Sequence, residues 1–232
     1  MNTWVKVVRY HLADWFTFVG YPWAIQAFVF LINLAIFANV APNPSQNGQS
    51  YSGALAAIYI AFGLVGSRAA SSHLPFALAV GVSRRSFYAG TALLAAGLAA
   101  ANALALTLLQ IIERATGGWG LSLHFFRVPF LLAGPWYLTW LTSFVALAVM
   151  FVWGIWFGLV YQRWNLGGLL AFIAVQVTVV TIALVFAFQA HIWHGVGRFF
   201  TVLTIGGLTG VLAVLAMLLL AGGYATIRRV AV

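Results

Sequence analysis

Asp14 and Glu113 are the only acidic side chains in a chain of 232 residues that carries 11 lysines and arginines. Acid–base work by paired carboxylates needs both groups at one substrate. Long apolar blocks separate these two and put them on opposite sides of whatever those blocks build. The histidines are His11, His73, His124, His191 and His194. Among neighbours in sequence, "HIWH" sets His191 and His194 on one helix face, where two imidazoles could hold a metal or haem. No third ligand accompanies them, a pair at the membrane surface fits as well, and no metal site is expected. The absence of cysteine removes thiolate metal sites, iron–sulfur clusters and thiol nucleophiles. The one lysine, Lys6, follows "MNTWV" and no glycine-rich loop, so it cannot be the phosphate-gripping lysine of a P-loop. No catalytic set is expected in this chain.

What is concentrated is positive charge. "LAVGVSRRSF", residues 78–87, puts Arg84 and Arg85 side by side between two long apolar blocks. Just upstream, Ser71 and Ser72 are candidate caps for a short helix, and Pro75 stands where a first turn tolerates proline. Gly81 permits a sharp turn. Residues 71–87 are too polar and too interrupted to span a bilayer. They read either as a stop signal at the cytoplasmic interface or as a short helix on which a soluble partner docks.

The elements that position these residues follow from composition. The chain is 64% hydrophobic and 6% charged, with mean hydropathy +1.03, whereas soluble domains carry roughly 25% charged residues. An all-α integral membrane protein is expected, one domain over residues 1–232. The net charge of +9 is spread among apolar runs, so it marks topology and not a nucleic-acid partner. A span needs about 20 apolar residues, and six are expected, near 21–40, 52–70, 88–112, 137–160, 166–190 and 201–224. Ahead of them, Trp4, Val8, Leu12, Trp15 and Phe16 recur at helical spacing, with Lys6, Arg9 and Asp14 off that face. Residues 1–18 are therefore expected to be an amphipathic helix lying in the headgroup region; the alternative is a polar start to the first span. No signal-peptide pattern is present in this stretch.

With the N-terminus in the cytoplasm, Lys6, Arg9, Arg68, Arg84, Arg85, Arg163, Arg228 and Arg229 fall inside, and Arg114, Arg127 and Arg198 outside. The positive-inside rule then favours six spans with both termini cytoplasmic. Gly154 with Gly158, "GTALLAAGLAAANALA" and "GGLTG" offer small faces for close helix packing. Asn33, Asn102 and Gln176, with Gln26, Gln110 and Gln189, are the amide side chains within spans. They either line a cavity or hydrogen-bond between helices. No carboxylate lies mid-membrane, which disfavours a proton- or sodium-coupled carrier.

An interfacial N-terminal helix, six spans and a short cytoplasmic helix between spans two and three resemble the membrane (permease) subunit of bacterial type-2 ABC exporters. Residues 78–90, "LAVGVSRRSFYAG", are similar to the "LGVSRRxFxxG" pattern frequent in those permeases. The resemblance implies that Phe76, Leu78, Gly81, Val82, Ser83, Arg84 and Arg85 form or position a coupling helix seated in a groove of a separate ABC ATP-binding subunit. That subunit would hold ATP and Mg²⁺, and this chain would bind no cofactor. It further implies a pair of permease chains, identical or not, in a bacterial plasma membrane, moving cargo outward. An apolar interior suits a hydrophobic or amphipathic cargo such as a drug, lipid or peptide. The short "HIWHGVGRFF" between the last two spans departs from the family, which often carries a sizeable outer element there. Two other readings stand beside this one: a non-enzymatic membrane scaffold or accessory subunit, and a stand-alone channel or secondary carrier.

Overall fold

The structure is a computed structural model that describes residues 3–40, 50–128, 134–190 and 204–227. They form seven helices: α1 (Thr3–Ala13), α2 (Tyr21–Val40), α3 (Ala56–Arg68), α4 (Leu74–Ala79), α5 (Arg84–Ala115), α6 (Trp136–Gln189) and α7 (Ile205–Ile227). Two-residue strands β1 (Ser50–Tyr51) and β2 (Leu123–His124) pair in parallel. Among the described residues, five helical stretches are long and apolar enough to cross a membrane: Phe16–Asn39, Gly53–Ala79, Arg84–Ala115, Trp136–Gln189 and Ile205–Thr226. The protein is an all-α, multi-pass membrane protein. The core gathers side chains of α1, α3, α4, α5 and the first half of α6.

Helix α5 shows how the pattern works when lipid replaces water. Its buried positions Thr91, Leu94, Leu98, Asn102, Leu106, Gln110 and Glu113 recur every three or four residues. Leu93, Leu104, Leu108 and Ile111 lie exposed between them. The polar side chains thus face protein and these apolar ones face outward, because lipid cannot satisfy a hydrogen-bonding group.

Helix α3 and the first half of α6 run side by side in the same direction. A Cβ on Gly154 would overlap the Gly63 carbonyl, one on Gly66 the Phe151 carbonyl, and one on Gly158 the Ser67 carbonyl. Gly154 and Gly158 thus face Gly63 and Ser67, and the backbones touch because none of the four carries a large side chain. The small residues of "GGLTG" do not serve in this way: Gly206, Gly207 and Gly210 are exposed. Helix α7 instead packs through Gly222 against Trp156 and through Gly223 against Tyr88. The Tyr88 hydroxyl donates to the Leu220 carbonyl at 2.6 Å.

One expectation needs correction. The break expected after residue 70 is absent, since the chain stays helical from Gly53 to Ala79. Ser71 and Ser72 cap nothing; they lie in a widened turn, Ala69–His73, that runs straight into α4. Pro75 is the cause. It lacks an N–H and crowds the carbonyl four residues back, which is that of Ser71. The Gln162 side-chain amide donates to this freed carbonyl instead. The 27-residue stretch is about 40 Å long at 1.5 Å per residue, against about 30 Å of hydrocarbon.

The turn expected at "YQRWN" is present: α6 consists of two helical arms that meet at Asn165, which is non-helical at φ 53°, ψ −156°. The rings of Phe157 and Phe172 are 5.2 Å apart across the break. An unbroken helix would separate those residues by about 22 Å, so the chain folds back at Asn165. Helix α7 then runs alongside the first arm of α6 in the same direction. Thr142 and Thr209 hydroxyls meet at 2.7 Å, and Trp156 Nε1 donates to the Leu219 carbonyl at 3.3 Å.

Candidate functional site

The residues from Phe76 to Arg85 form one compact unit. Helix α4 closes with the Val82 N–H bonded to the Ala77 carbonyl at 2.9 Å and the Gly81 N–H to the Leu78 carbonyl at 3.0 Å. That is a Schellman ending, and it requires a left-handed residue at its turn. Gly81 supplies it at φ +81°. Val82 turns back onto the core beside Leu78. Ser83 then caps α5, its hydroxyl accepting from the Ser86 N–H at 3.2 Å. The "GVS" of the sequence is thus a helix stop, an apolar return and a helix start. Arg84 and Arg85 follow as the first residues of α5, in a turn without acidic residues. The helix dipole disfavours each cation there by about 0.3–1 kcal/mol. Arg85 is exposed and Arg84 half-buried. Phe76 and Val80 are 52% and 62% exposed, and they present an apolar surface beside the basic one.

Helix α1 braces this unit. It packs along α5, with Val7, His11 and, just past the helix end, Phe18 turned inward and buried. Tyr10 stacks on Phe76, centroids 5.2 Å apart and planes within 8°. The His11 and His73 rings stack at 4.9 Å. His73 Nε2 lies 3.9 Å from Asp14 Oδ2. His11 Nδ1 is 2.8 Å from the Val7 carbonyl, so in the neutral ring this nitrogen donates. Burial, above all, holds His11 down to about 4; the bond to the Val7 carbonyl works the other way, and neighbouring His73 lowers it further.

The expected interfacial anchors divide. Leu12 and Trp15 face outward, 42% and 64% exposed, while Val8 is half-buried against the core. The Trp4 side chain, His191 and His194 lie outside the described residues. The inward face of α1 was missed in the sequence, although Val7, His11 and Phe18 stand four and seven residues apart. Histidine at the middle position hid it.

Asn33, Asn102 and Gln176 have separate settings. Asn33 Oδ1 accepts from the Ser52 hydroxyl at 2.7 Å, and its amide donates to the Val29 carbonyl at 2.9 Å. Asn102 accepts from Trp23 Nε1 at 2.6 Å, tying α5 to α2. Trp23 and Asn33 are about 15 Å apart along α2, so the two asparagines sit at different depths. Gln176 is half-buried on the second arm of α6. For the two asparagines, the geometry is that of bonds between neighbouring elements of the fold.

Glu113 holds a second organised site that sequence reasoning passed over. Its Oε2 accepts from the Phe125 and Phe126 N–H groups at 2.9 and 2.8 Å and from Trp119 Nε1 at 3.2 Å; Oε1 accepts from the Arg127 N–H at 3.2 Å. The carboxylate is buried and folds the α5–α6 connection around itself. "TGGWG" makes this possible: four consecutive residues from Gly117 to Gly120 have positive φ, and a Cβ on Gly118 would meet the Leu123 backbone. Trp119 tolerates φ 59° because Glu113 and the Phe30 ring, 5.0 Å away, hold its indole.

No protein family, curated protein or solved structure matches this chain.

Proposed function

We propose that this chain is the membrane subunit of an ATP-driven ABC exporter. It acts as a pair of such chains with two ATP-binding subunits in a bacterial plasma membrane. The observation that carries the reading is the α4–α5 junction: exposed Phe76 and Val80, a Schellman turn at Gly81, and paired arginines set against the dipole of their own helix. A surface that is both apolar and basic, rigidly built and braced by α1, suits a groove with apolar walls and carboxylates at its rim. Six spans fit the pattern of contacts better than five. The first arm of α6 and α7 run the same way, so the chain between them must recross the membrane, and the arm 166–189 is there to do it. Both termini then share the side that carries Arg68, Arg84, Arg85 and Arg163. That arm exposes nearly every side chain, which favours a second permease chain against it.

The coupling follows from continuity. ATP binding closes the two ATPase subunits and pushes α4. Helix α4 prolongs α3 without a break, so the push passes along α3. At the α3–α6 seam the backbones already touch and leave no slack. The spans rock together and a hydrophobic or amphipathic cargo leaves outward. Affinity purification from the native membrane, wild type beside Arg84→Glu/Arg85→Glu, tests this. A P-loop ATPase retained by the wild type and lost by the variant is the expected result. An ATPase absent from both overturns it.

A further inference from the structure

The His11–His73 stack is the least expected feature at the α4 end. His11 is fully buried, its Nδ1 is bonded to the Val7 carbonyl, and its Nε2 has no hydrogen-bond partner. A second imidazole lies flat against it at 4.9 Å. The groups around it come from four places. Tyr10 is on its own helix and Asp14 just past the end of that helix, His73 is on the widened turn, and Arg68 at the end of α3 acts on His73. Phe18 and Phe87 close the remaining sides and are apolar. Asp14 can serve one proton on His73. A proton on His11 Nε2 meets no acceptor and lies against the second imidazole ring.

We infer that protonation at the His11–His73 stack releases α1 from α4, so that the brace on the docking unit is a proton-operated latch. Burying an unpaired imidazolium is costly, so protonation favours the state in which the ring has left the enclosed site. It leaves with α1, and the Tyr10–Phe76 stack goes with it. The sign follows from linkage. His11 is held at about 4 when docked, and a freed histidine titrates near 6.5, so the freed state binds more protons between those values. Docking is therefore strongest above about pH 6.5 and weakens as pH falls toward 4. Between about pH 7.5 and pH 5 the ratio of freed to docked α1 rises roughly 30-fold. The consequence for coupling rests on the exporter reading, but the latch itself does not.

The chain lacks cysteine, so Ala13→Cys and Val80→Cys place two spin labels, one at the end of α1 and one at the end of α4. Distances measured in phosphatidylcholine nanodiscs, without any ATPase, read the latch alone. A single short distance at pH 7.5 that gains a long, broad component at pH 5 is expected. His11→Phe keeps a ring in the stack but cannot be protonated there, and should hold the short distance at both pH values. A wild type that is unchanged at pH 5, or a His11→Phe protein that opens on acidification as the wild type does, overturns the latch. Should His11→Phe fail to fold, His73→Phe in the same labelled chain must at least shift the opening pH; no shift overturns it equally.

Discussion

Glu113→Gln isolates what the buried carboxylate does. The oxygen of the introduced amide can replace Oε2 and keep the bonds from Phe125, Phe126 and Trp119, but as a neutral acceptor. Bonds to a charged acceptor contribute about 1.5–3 kcal/mol each, against about 1 for neutral ones, so the three lose about 1 kcal/mol apiece. The new NH₂ then faces the Arg127 N–H, donor against donor, for about 1 kcal/mol more. The connection should lose about 3–5 kcal/mol of local stability, so exchange at the three loop amides accelerates at least about 100-fold. Hydrogen–deuterium exchange of a peptide covering residues 123–128 measures it, with a peptide of α3 as internal reference. Exchange at Phe125, Phe126 and Arg127 unchanged in the variant would refute the claim that one carboxylate organises the loop.

The α3–α6 seam predicts an asymmetry among glycines. Gly154→Val should lower the unfolding temperature in detergent sharply, by the equivalent of about 1–3 kcal/mol or more, because the Gly63 carbonyl occupies that space. Gly210→Ala, where nothing lies within 4 Å, should leave it unchanged or raise it slightly. At the α6 break, Asn165→Gly should stabilise by about 1 kcal/mol and Asn165→Val destabilise by about as much, since φ 53° with ψ −156° is a region that glycine alone enters freely. Thermal unfolding of both would check this. Tyr88→Phe removes the bond to the Leu220 carbonyl and should cost about 1 kcal/mol; if it costs nothing, α7 is not held where described.

Much of the fold was legible because lipid imposes a simple rule: long apolar runs must be helices. The GxxxG of Gly154 and Gly158 pointed to a close contact, and that contact exists. What sequence could not tell was which small residues would be used. Gly206, Gly207 and Gly210 look like a packing face and are exposed, while Gly222 and Gly223 do the packing, because the partner side chains Trp156 and Tyr88 are distant in sequence. The motif around Arg84 was visible, and Gly81 and Ser83 took the turn and cap positions their residue types allow. The serines at 71 and 72 misled, since the effect of Pro75 on the Ser71 carbonyl depends on Gln162, 91 residues later. The roles of Glu113 and His11 were hidden for the same reason. Each depends on groups brought together only by the fold: three backbone amides in one case and a second histidine in the other.

The central claim, that the α4–α5 junction receives an ATP-binding subunit, is tested most directly by a contact from that surface. Val80→Cys gives one reactive position beside Arg84 and Arg85, and Val211→Cys, also exposed but on α7, gives the control. A bifunctional crosslinker applied to native membranes should join Val80→Cys to a P-loop ATPase and leave Val211→Cys unjoined to it. No ATPase adduct at position 80, or equal adducts at both positions, would contradict the account.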